Sequence, residues 1–489
     1  MRKLFDKIKS GDTYKLLING NWVESSTKKT LDVINPANGS LVAKVQKASK
    51  IDAEKAIKAA FKSKPKANMP AFRKSEILIK MAELLEKYSE DFIDIICKES
   101  GKTQSLAKGE VHASVTRLKL AAEEAKALRG EIIGGDILKE TRDTALVMRQ
   151  PLGVVLAISP FNYPLFTAIS KIAPAIAAGN SVIVKPASAD PISLLMFGKI
   201  MQEAGMPDGT VNIVTGSGSE IGDFMVAHPD VDMISFTGGT EGGKHLASIA
   251  GMKKLHLELG GKAPAIVLDD CNLDNAVKEC LIGSLKFSGQ RCDAISRILI
   301  VESIADKFVE KAMEEMKEWK FGDPSKEDTV VGPLINEKAA SFVKELVDDA
   351  ISKGAKLLCG GKKYEHGYFE PTLLDNVTKN MRIAWEETFG PVVTIIRVKN
   401  YEEAIELSNK SEFGLDSCIF TQDIDKAIDA GLRIESGSVH VNAHPTHGVG
   451  LFTFGGDKES GMGRQGVMHS AIEMTKPHTI VLHPKAIVS

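Results

Sequence analysis

The chain has 489 residues, a net charge of −2, 43% hydrophobic and 26% charged residues, an ordinary globular composition. At about 100–200 residues per domain this predicts two to four domains, with cores large enough to need no staples. The small net charge gives no electrostatic case for nucleic acid or a membrane surface as partner, and the apolar runs at 153–158 and 181–184 fall well short of the ~20 residues of a membrane span.

Six cysteines, Cys97, Cys271, Cys280, Cys292, Cys359 and Cys418, include no C-x-x-C pair, which argues against a zinc or dithiol site; no metal is expected. The start, MRKLFDKIKSGDTYK, alternates charge with apolar residues and has no signal-peptide core, so a reduced, cytoplasmic setting is expected, with most cysteines inert in the core.

The first fifty or so residues are rich in strand and turn signals: strands at 14–18 and 30–33, turns at Asn35-Pro36 and Asn38-Gly39. Amphipathic helices are predicted over 51–62, 73–99 and 103–128. A short strand at 145–150 precedes an alternating series: GVVLAI, a helix ending near Gly179, SVIVK, a helix over 193–204, VNIV, a helix after Ser219, DMISF, a helix after Thr240 and KLHLEL. Alternation at this spacing predicts a doubly wound parallel sheet. A second α/β series runs from PAIVLDD (264–270) through a helix from Asp274, the strand 298–301, helices near Phe308 and Phe342, and strands at 392–398 and 417–420. TIVLH (479–483) is an isolated strand, expected to join 145–150 in a small outlying sheet that recruits another subunit.

Two Gly-rich loops follow strands of the first series. One, at 216–222, contains Gly218 but carries its third glycine one residue late for G-x-G-x-x-G; the other, FTGGTEGG (236–243), contains Gly238 and Gly239 and opens a helix. Backbone N–H groups at such a start favour a pyrophosphate, so a dinucleotide is the expected ligand. Cys292, in FSGQRCDA, follows Arg291, and a positive neighbour or a helix start would lower its pKa and make it a nucleophile. Glu258 ends a strand, a frequent active-site placement in open α/β sheets. A core cysteine and a turn-capping glutamate are the alternatives.

The motifs PFNYP (160–164), VKPA (184–187), FTGGTE, LELGGK (257–262), GQRC (289–292), EETFGPV (386–392) and FGGDKESGMGR (454–464) occur in this order. On them the chain resembles the aldehyde dehydrogenase superfamily over nearly its whole length. The resemblance implies an α/β fold with two doubly wound parallel-sheet domains plus a β-strand oligomerisation arm. The expected boundaries are 1–128 and 151–262 for the nicotinamide dinucleotide-binding domain, 263–470 for the catalytic domain, and 129–150 and 471–489 for the arm of a homodimer or homotetramer. It implies Cys292 as nucleophile, the Asn162 amide and the Cys292 N–H as oxyanion hole, and Glu258 as general base. Ser159, Pro160, Lys185, Ser188, Gly218, Gly238, Gly239, Glu387 and Phe389 would contact the cofactor. Many NAD-preferring relatives carry Glu where this chain has Ser188; serine removes repulsion of a 2′-phosphate, so NADP is favoured over NAD.

The expected substrate is a small polar aldehyde. Arg291 and Asp293 flank the cysteine, and Tyr163 and Phe166 face the pocket without the large Trp or Met of fatty or aromatic aldehyde oxidisers. PFNYPLF, GQRCDAIS and HPTHGVG (444–450) are similar to archaeal-type non-phosphorylating glyceraldehyde-3-phosphate dehydrogenases. Arg291 would read the phosphate, or else pair with a neighbouring carboxylate; His447 would contribute when protonated or as a single donor. Glyceraldehyde, lactaldehyde and succinic semialdehyde are the alternative substrates. Glu258 argues against a CoA-acylating relative, and the retained nucleophile, base and oxyanion donor argue against a non-catalytic binding protein.

Overall fold

In the computed structural model, which describes residues 3–138, 143–448 and 450–484, alternation with a period of two builds a first sheet buried on both faces. Val154, Leu156 and Ile158 join one core with Ile183 and Ile234, whereas Val155 and Ala157 face the opposite core with Val182 and Val184. The sheet runs Gly461–Met462, Lys254–Glu258, Met233–Thr237, Val154–Ile158, Ser181–Lys185, Val211–Ile213, Leu16–Ile18, Asn21–Val23. Its five central strands are parallel. Successive strands leave Val154–Ile158 first to one side and then to the other. The chain therefore changes direction beside this strand, which opens a crevice at the strands' C-terminal ends.

A second sheet repeats the design: Lys356–Cys359, Thr372–Asp375, Val392–Val398, Ile295–Val301, Ala263–Val267, Asp416–Phe420, Ser438–Val441. All are parallel except the first. Ile266 and Leu299 face one core, Ala265, Val267, Ile298 and Ile300 the other. The loops carrying Gly261, Cys292 and Phe389 all lead into N-terminal ends of this sheet, so they meet the C-terminal ends of the first.

The expected arm segments pair with each other: Thr475–Leu482 runs antiparallel to Thr144–Pro151, which also pairs with Glu131–Gly134. Residues 139–142 and 485–489 of these segments, and Val449 of the 444–450 run, lie outside the described residues.

Several elements differ from the sequence expectation. The strand at 14–18 divides into Thr13–Tyr14 and Leu16–Ile18, which join different sheets, because the Lys15 N–H turns to the Ile8 carbonyl at 2.9 Å. The helix expected over 73–99 is two, Ala71–Lys87 and Ser89–Ser100, broken at Tyr88, whose ring packs edge-on to Phe5 at 5.5 Å. Segment 263–470 does not stay with its own sheet: Gly461–Met462 pairs with Leu257 and Glu258 of the first. No helix among the described residues is long and apolar enough to cross a membrane.

Candidate active site

A cavity of about 440 Å³ lies between the two sheets, and Asn162, Tyr163, Phe166, Glu258, Arg291, Cys292, Asp293 and His447 all line it. Eight residues scattered over nearly 300 positions thus share one wall.

The backbone that presents Cys292 is held in an unusual conformation. After the helix Leu273–Leu285, Phe287, Ser288 and Gly289 have φ of 52°, 54° and 68°, and non-glycine residues in this region cost of order 1–2 kcal/mol each. Neighbouring chain offsets that cost. The Ser288 hydroxyl donates to the Gly332 carbonyl at 2.7 Å, and the Gln290 side-chain oxygen accepts from the Ile335 N–H at 2.8 Å. On the other side Gly261 packs so closely that a Cβ there would stand 2.1 Å from the Cys292 carbonyl oxygen.

Cys292 itself is half-buried and lies in a turn; no helix starts at it. Burial pushes its thiol well above the usual range, and Asp293, Asp416, Glu258 and Glu387 add to the effect. The expectation of a thiolate favoured by Arg291 or a helix start is therefore corrected. The Arg291 guanidinium is already neutralised, its Nε donating to Asp293 Oδ1 at 2.9 Å and Nη2 to the Pro445 carbonyl at 2.9 Å. Of the two fates expected for Arg291, the carboxylate pair is present, yet Nη1 is buried with no hydrogen-bond partner.

Glu258 is buried at the end of its strand. Oε1 lies 3.2 Å from His256 Nε2, and Oε2 has no partner. Desolvation raises its pKa to about 8, against the opposing pull of Lys171, His447 and Arg464. Burial holds His256 near 3, so the imidazole is neutral and brings no charge to Glu258. The Asn162 Nδ2 donates to the Gln290 carbonyl at 2.9 Å, leaving the amide's second N–H free. Among the described residues the Cys292 N–H has no hydrogen-bond partner.

Two buried pairings fix this wall. Glu110, ion-paired with Lys102, accepts from the N–H groups of Leu165 and Phe166 at 3.0 and 3.1 Å. The Lys102 ammonium in turn stands 3.7 Å over the Tyr163 ring. Phe166 meets the His447 ring edge-on at 5.3 Å. The Nε2 of His447 lies 3.1 Å from Gln465 Oε1, and its Nδ1 is buried without a partner. Burial lowers the His447 pKa, so of the two forms considered from sequence the protonated imidazole is disfavoured and the single neutral donor is left.

Lys171, Lys286, Lys102, Glu110 and Gln465 escaped the sequence reading. A signal existed for Lys171, the only charged residue of the helix Phe166–Ala178. Its Nζ donates to Thr237 Oγ1 at 2.6 Å, and desolvation lowers its pKa to about 8.

None of the nine cofactor candidates lines this cavity. Ser159 and Pro160 follow the strand Val154–Ile158 at the switch point, and the Ser159 N–H donates to the Lys185 carbonyl at 3.2 Å. The Ser159 Oγ is buried without a partner. Among the described residues Lys185 has only the Pro186 carbonyl at 3.4 Å and no acidic partner, and its pKa is lowered by burial to about 8. The Ser188 hydroxyl donates to the Gly216 carbonyl at 3.0 Å. A Cβ on Gly218 or Gly239 would meet nothing, whereas one on Gly238 would strike the Phe236 ring. Glu387 Oε1 accepts from the Gly261 N–H at 2.9 Å, with burial raising its pKa to about 7. Phe389 packs edge-on to Phe161 at 5.8 Å.

A thiol, a buried carboxylate with a free oxygen, and two unpaired N–H donors around one cavity suit covalent acyl transfer. The chain belongs to the aldehyde dehydrogenase family, whose profile matches residues 22–480, and it is an enzyme of that class. It is 41% identical over 483 residues to the NADP-dependent glyceraldehyde-3-phosphate dehydrogenase of Pisum sativum, covering 98% of this chain and 97% of that one. Among solved structures it is similar to the NADP-dependent glyceraldehyde-3-phosphate dehydrogenase of Bacillus halodurans C-125 complexed with NADP (TM-score 0.94, 43% identity, 96% of this chain and 99% of that one). It is also similar to the glyceraldehyde-3-phosphate dehydrogenase of Methanocaldococcus jannaschii complexed with NADP (TM-score 0.89, 38% identity, 93% and 99%).

Because a Cβ on Gly261 would stand 2.1 Å from the Cys292 carbonyl oxygen, Gly261→Ala must displace Cys292. A shift of about 1 Å costs on the order of 100-fold in turnover. Gly431→Ala, at a helix position where a Cβ meets nothing, serves as control; steady-state rates on any accepted aldehyde check the contrast, and equal rates in the two variants would contradict it.

Proposed function

We propose that this enzyme oxidises glyceraldehyde-3-phosphate to 3-phosphoglycerate, without phosphorylation, using NADP and a thioester on Cys292. The observation that carries the substrate reading is Arg291, a guanidinium beside the nucleophile that lines the cavity and keeps Nη1 buried and unpaired. A buried donor without a partner costs about 1–3 kcal/mol, and a phosphate oxygen would satisfy it. The similarity to enzymes named for this aldehyde is a second support.

The crevice suits a dinucleotide. Ser159 carries an orphaned hydroxyl and Lys185 a buried ammonium without an acid, while Gly218 and Gly239 leave open space beside the strand ends. In this reading Lys185 and Ser188 hold the adenosine ribose end, with no carboxylate at position 188 to repel a 2′-phosphate. Gly238 and Gly239 open the helix Thr240–Ile249 towards the pyrophosphate. Ser159, Pro160, Glu387 and Phe389 flank the nicotinamide end. When bound, NADP supplies the hydride acceptor.

The chain's own groups do the rest. The Cys292 thiol gives up its proton to solvent as its sulfur attacks the aldehyde carbon, and the second Asn162 N–H and the Cys292 N–H donate to the developing oxyanion. Two such donors are each worth roughly 3 kcal/mol or more. Departure of hydride leaves the acyl group on sulfur as a thioester. Glu258 Oε2 then takes a proton from water, which attacks the acyl carbon, releases the acid and returns the thiol. Tyr163, Phe166 and Asp293 shape the pocket, Asp293 by holding Arg291.

The outlying sheet keeps Ile132 76% exposed and leaves Ile133, Ile480, Val481 and Leu482 also exposed, apolar surface and free edges that assembly into a homodimer or homotetramer would cover. A reduced, cytoplasmic setting suits the free thiol.

Initial rates with glyceraldehyde-3-phosphate, glyceraldehyde, lactaldehyde and succinic semialdehyde, each with NADP and with NAD, test the reading. The highest kcat/KM is expected for the phosphorylated aldehyde with NADP; an equal or higher value on an unphosphorylated aldehyde contradicts it. Glu258 must be ionised to act as base, and burial holds its pKa near 8. Turnover limited by deacylation therefore rises with pH through about 8. Glu258→Gln removes that limb and lowers steady-state turnover by roughly 100-fold or more; a variant that keeps the wild-type profile would assign the limb to another group.

A further inference from the structure

Arg291 alone leaves a doubly charged phosphate underneutralised, because its own charge is matched by Asp293 at 2.9 Å. His447 adds little cationic charge, since burial lowers its pKa. A second cation is present on the same wall. Lys286 lines the cavity beside Arg291, Cys292 and Asp293, and among the described residues its ammonium has no hydrogen-bond or ion-pair partner.

Its position is imposed by the fold. Lys286 opens the tight turn Lys286–Gly289, which the Ser288–Gly332 hydrogen bond anchors. The next side chain, Phe287, is buried beneath Lys102, whose Nζ stands 4.5 Å over its ring. The lysine stem is half-buried, and its pKa is lowered by burial and by Arg291, with Asp293 opposing. An ammonium held near a guanidinium with no acid of its own is an unfavourable arrangement in the empty cavity, and an anion entering the cavity relieves it. Of the other acidic lining groups, Glu110 is already paired with Lys102, and burial raises the pKa of Glu258 to about 8.

We propose that Lys286 is a specificity-determining residue, the second cation that, with Arg291, receives the substrate's phosphate. This rests on the phosphorylated-aldehyde reading above. Asp293 then has a defined part: it holds Arg291 in place and leaves the Lys286 charge uncompensated on the wall.

The test is steady-state kinetics of the full-length enzyme with NADP on glyceraldehyde-3-phosphate and on glyceraldehyde, for wild type, Lys286→Met and Lys286→Arg, with thermal melting to confirm folding. Lys286→Met is expected to reduce the ratio of kcat/KM between the two aldehydes by about tenfold or more, the effect of losing one charge-assisted contact. The loss should fall mainly on KM, and Lys286→Arg should restore most of the ratio. Inorganic phosphate, tested as a competitor of glyceraldehyde, should inhibit Lys286→Met more weakly than wild type. A ratio unchanged in a folded Lys286→Met enzyme overturns this proposal alone. A wild type that does not discriminate between the two aldehydes overturns the phosphorylated-substrate reading, and this proposal with it.

Discussion

The seam between the two sheets, where Gly261 packs against the Cys292 carbonyl, governs the chemistry of the site. Strand ends bring functional residues to the seam from both sides: Glu258 from the first sheet, Cys292 and Glu387 from loops that lead into the second. Bringing them so close buries them, and desolvation then becomes the largest influence on Glu258, Glu387, Lys171 and the Cys292 thiol. It raises Glu258 to about 8 and Glu387 to about 7, lowers Lys171 to about 8, and drives the Cys292 thiol upward. A low-dielectric seam keeps acids and amines near the pH at which protons move readily.

Charge along the cavity is balanced in pairs. Asp293 matches Arg291, Glu110 matches Lys102, and the His256 ring beside Glu258 stays neutral. Each pair also holds a surface in place: Glu110 ties down the N–H groups that begin the helix Phe166–Ala178, which follows Asn162, and Lys102 packs on Tyr163. Besides Glu258 Oε2 and His447 Nδ1, the groups left unpaired at the wall among the described residues are donors: the second Asn162 N–H, the Cys292 N–H, Arg291 Nη1 and the Lys286 ammonium. All of them suit electron-rich oxygen, carbonyl or phosphate, and they surround one thiol.

Much of the fold was legible because its signal is local. The short apolar run of 154–158 and the alternation of such strands with helices predict a parallel sheet, and the ordered motifs point to Cys292, Glu258 and Asn162, which line one cavity. Other features depended on distant partners. No glycine or proline marks position 88, and the helix breaks there where Tyr88 meets Phe5. The two-residue strand Gly461–Met462 has no periodicity and is defined by pairing with a strand some 200 positions earlier. Arg291 next to Cys292 suggested a lowered thiol pKa, but Arg291 is paired with Asp293 at 2.9 Å, and burial together with Asp293 raises the thiol instead, a choice that side-chain geometry makes. Lys286 lies in an otherwise apolar stretch, where only the left-handed turn after it places the ammonium on the cavity wall.

The covalent step at Cys292 is the claim on which the rest of this mechanism stands. Folded Glu258→Gln enzyme, which keeps the Cys292 thiol and loses the carboxylate proposed as base, can be mixed with glyceraldehyde-3-phosphate and NADP, quenched in acid, digested and weighed by mass spectrometry. The account predicts one 3-phosphoglyceroyl group on the peptide containing Cys292, with the other five cysteines unmodified. NADPH formation with an unmodified Cys292 peptide, or acylation of a different cysteine, would contradict it.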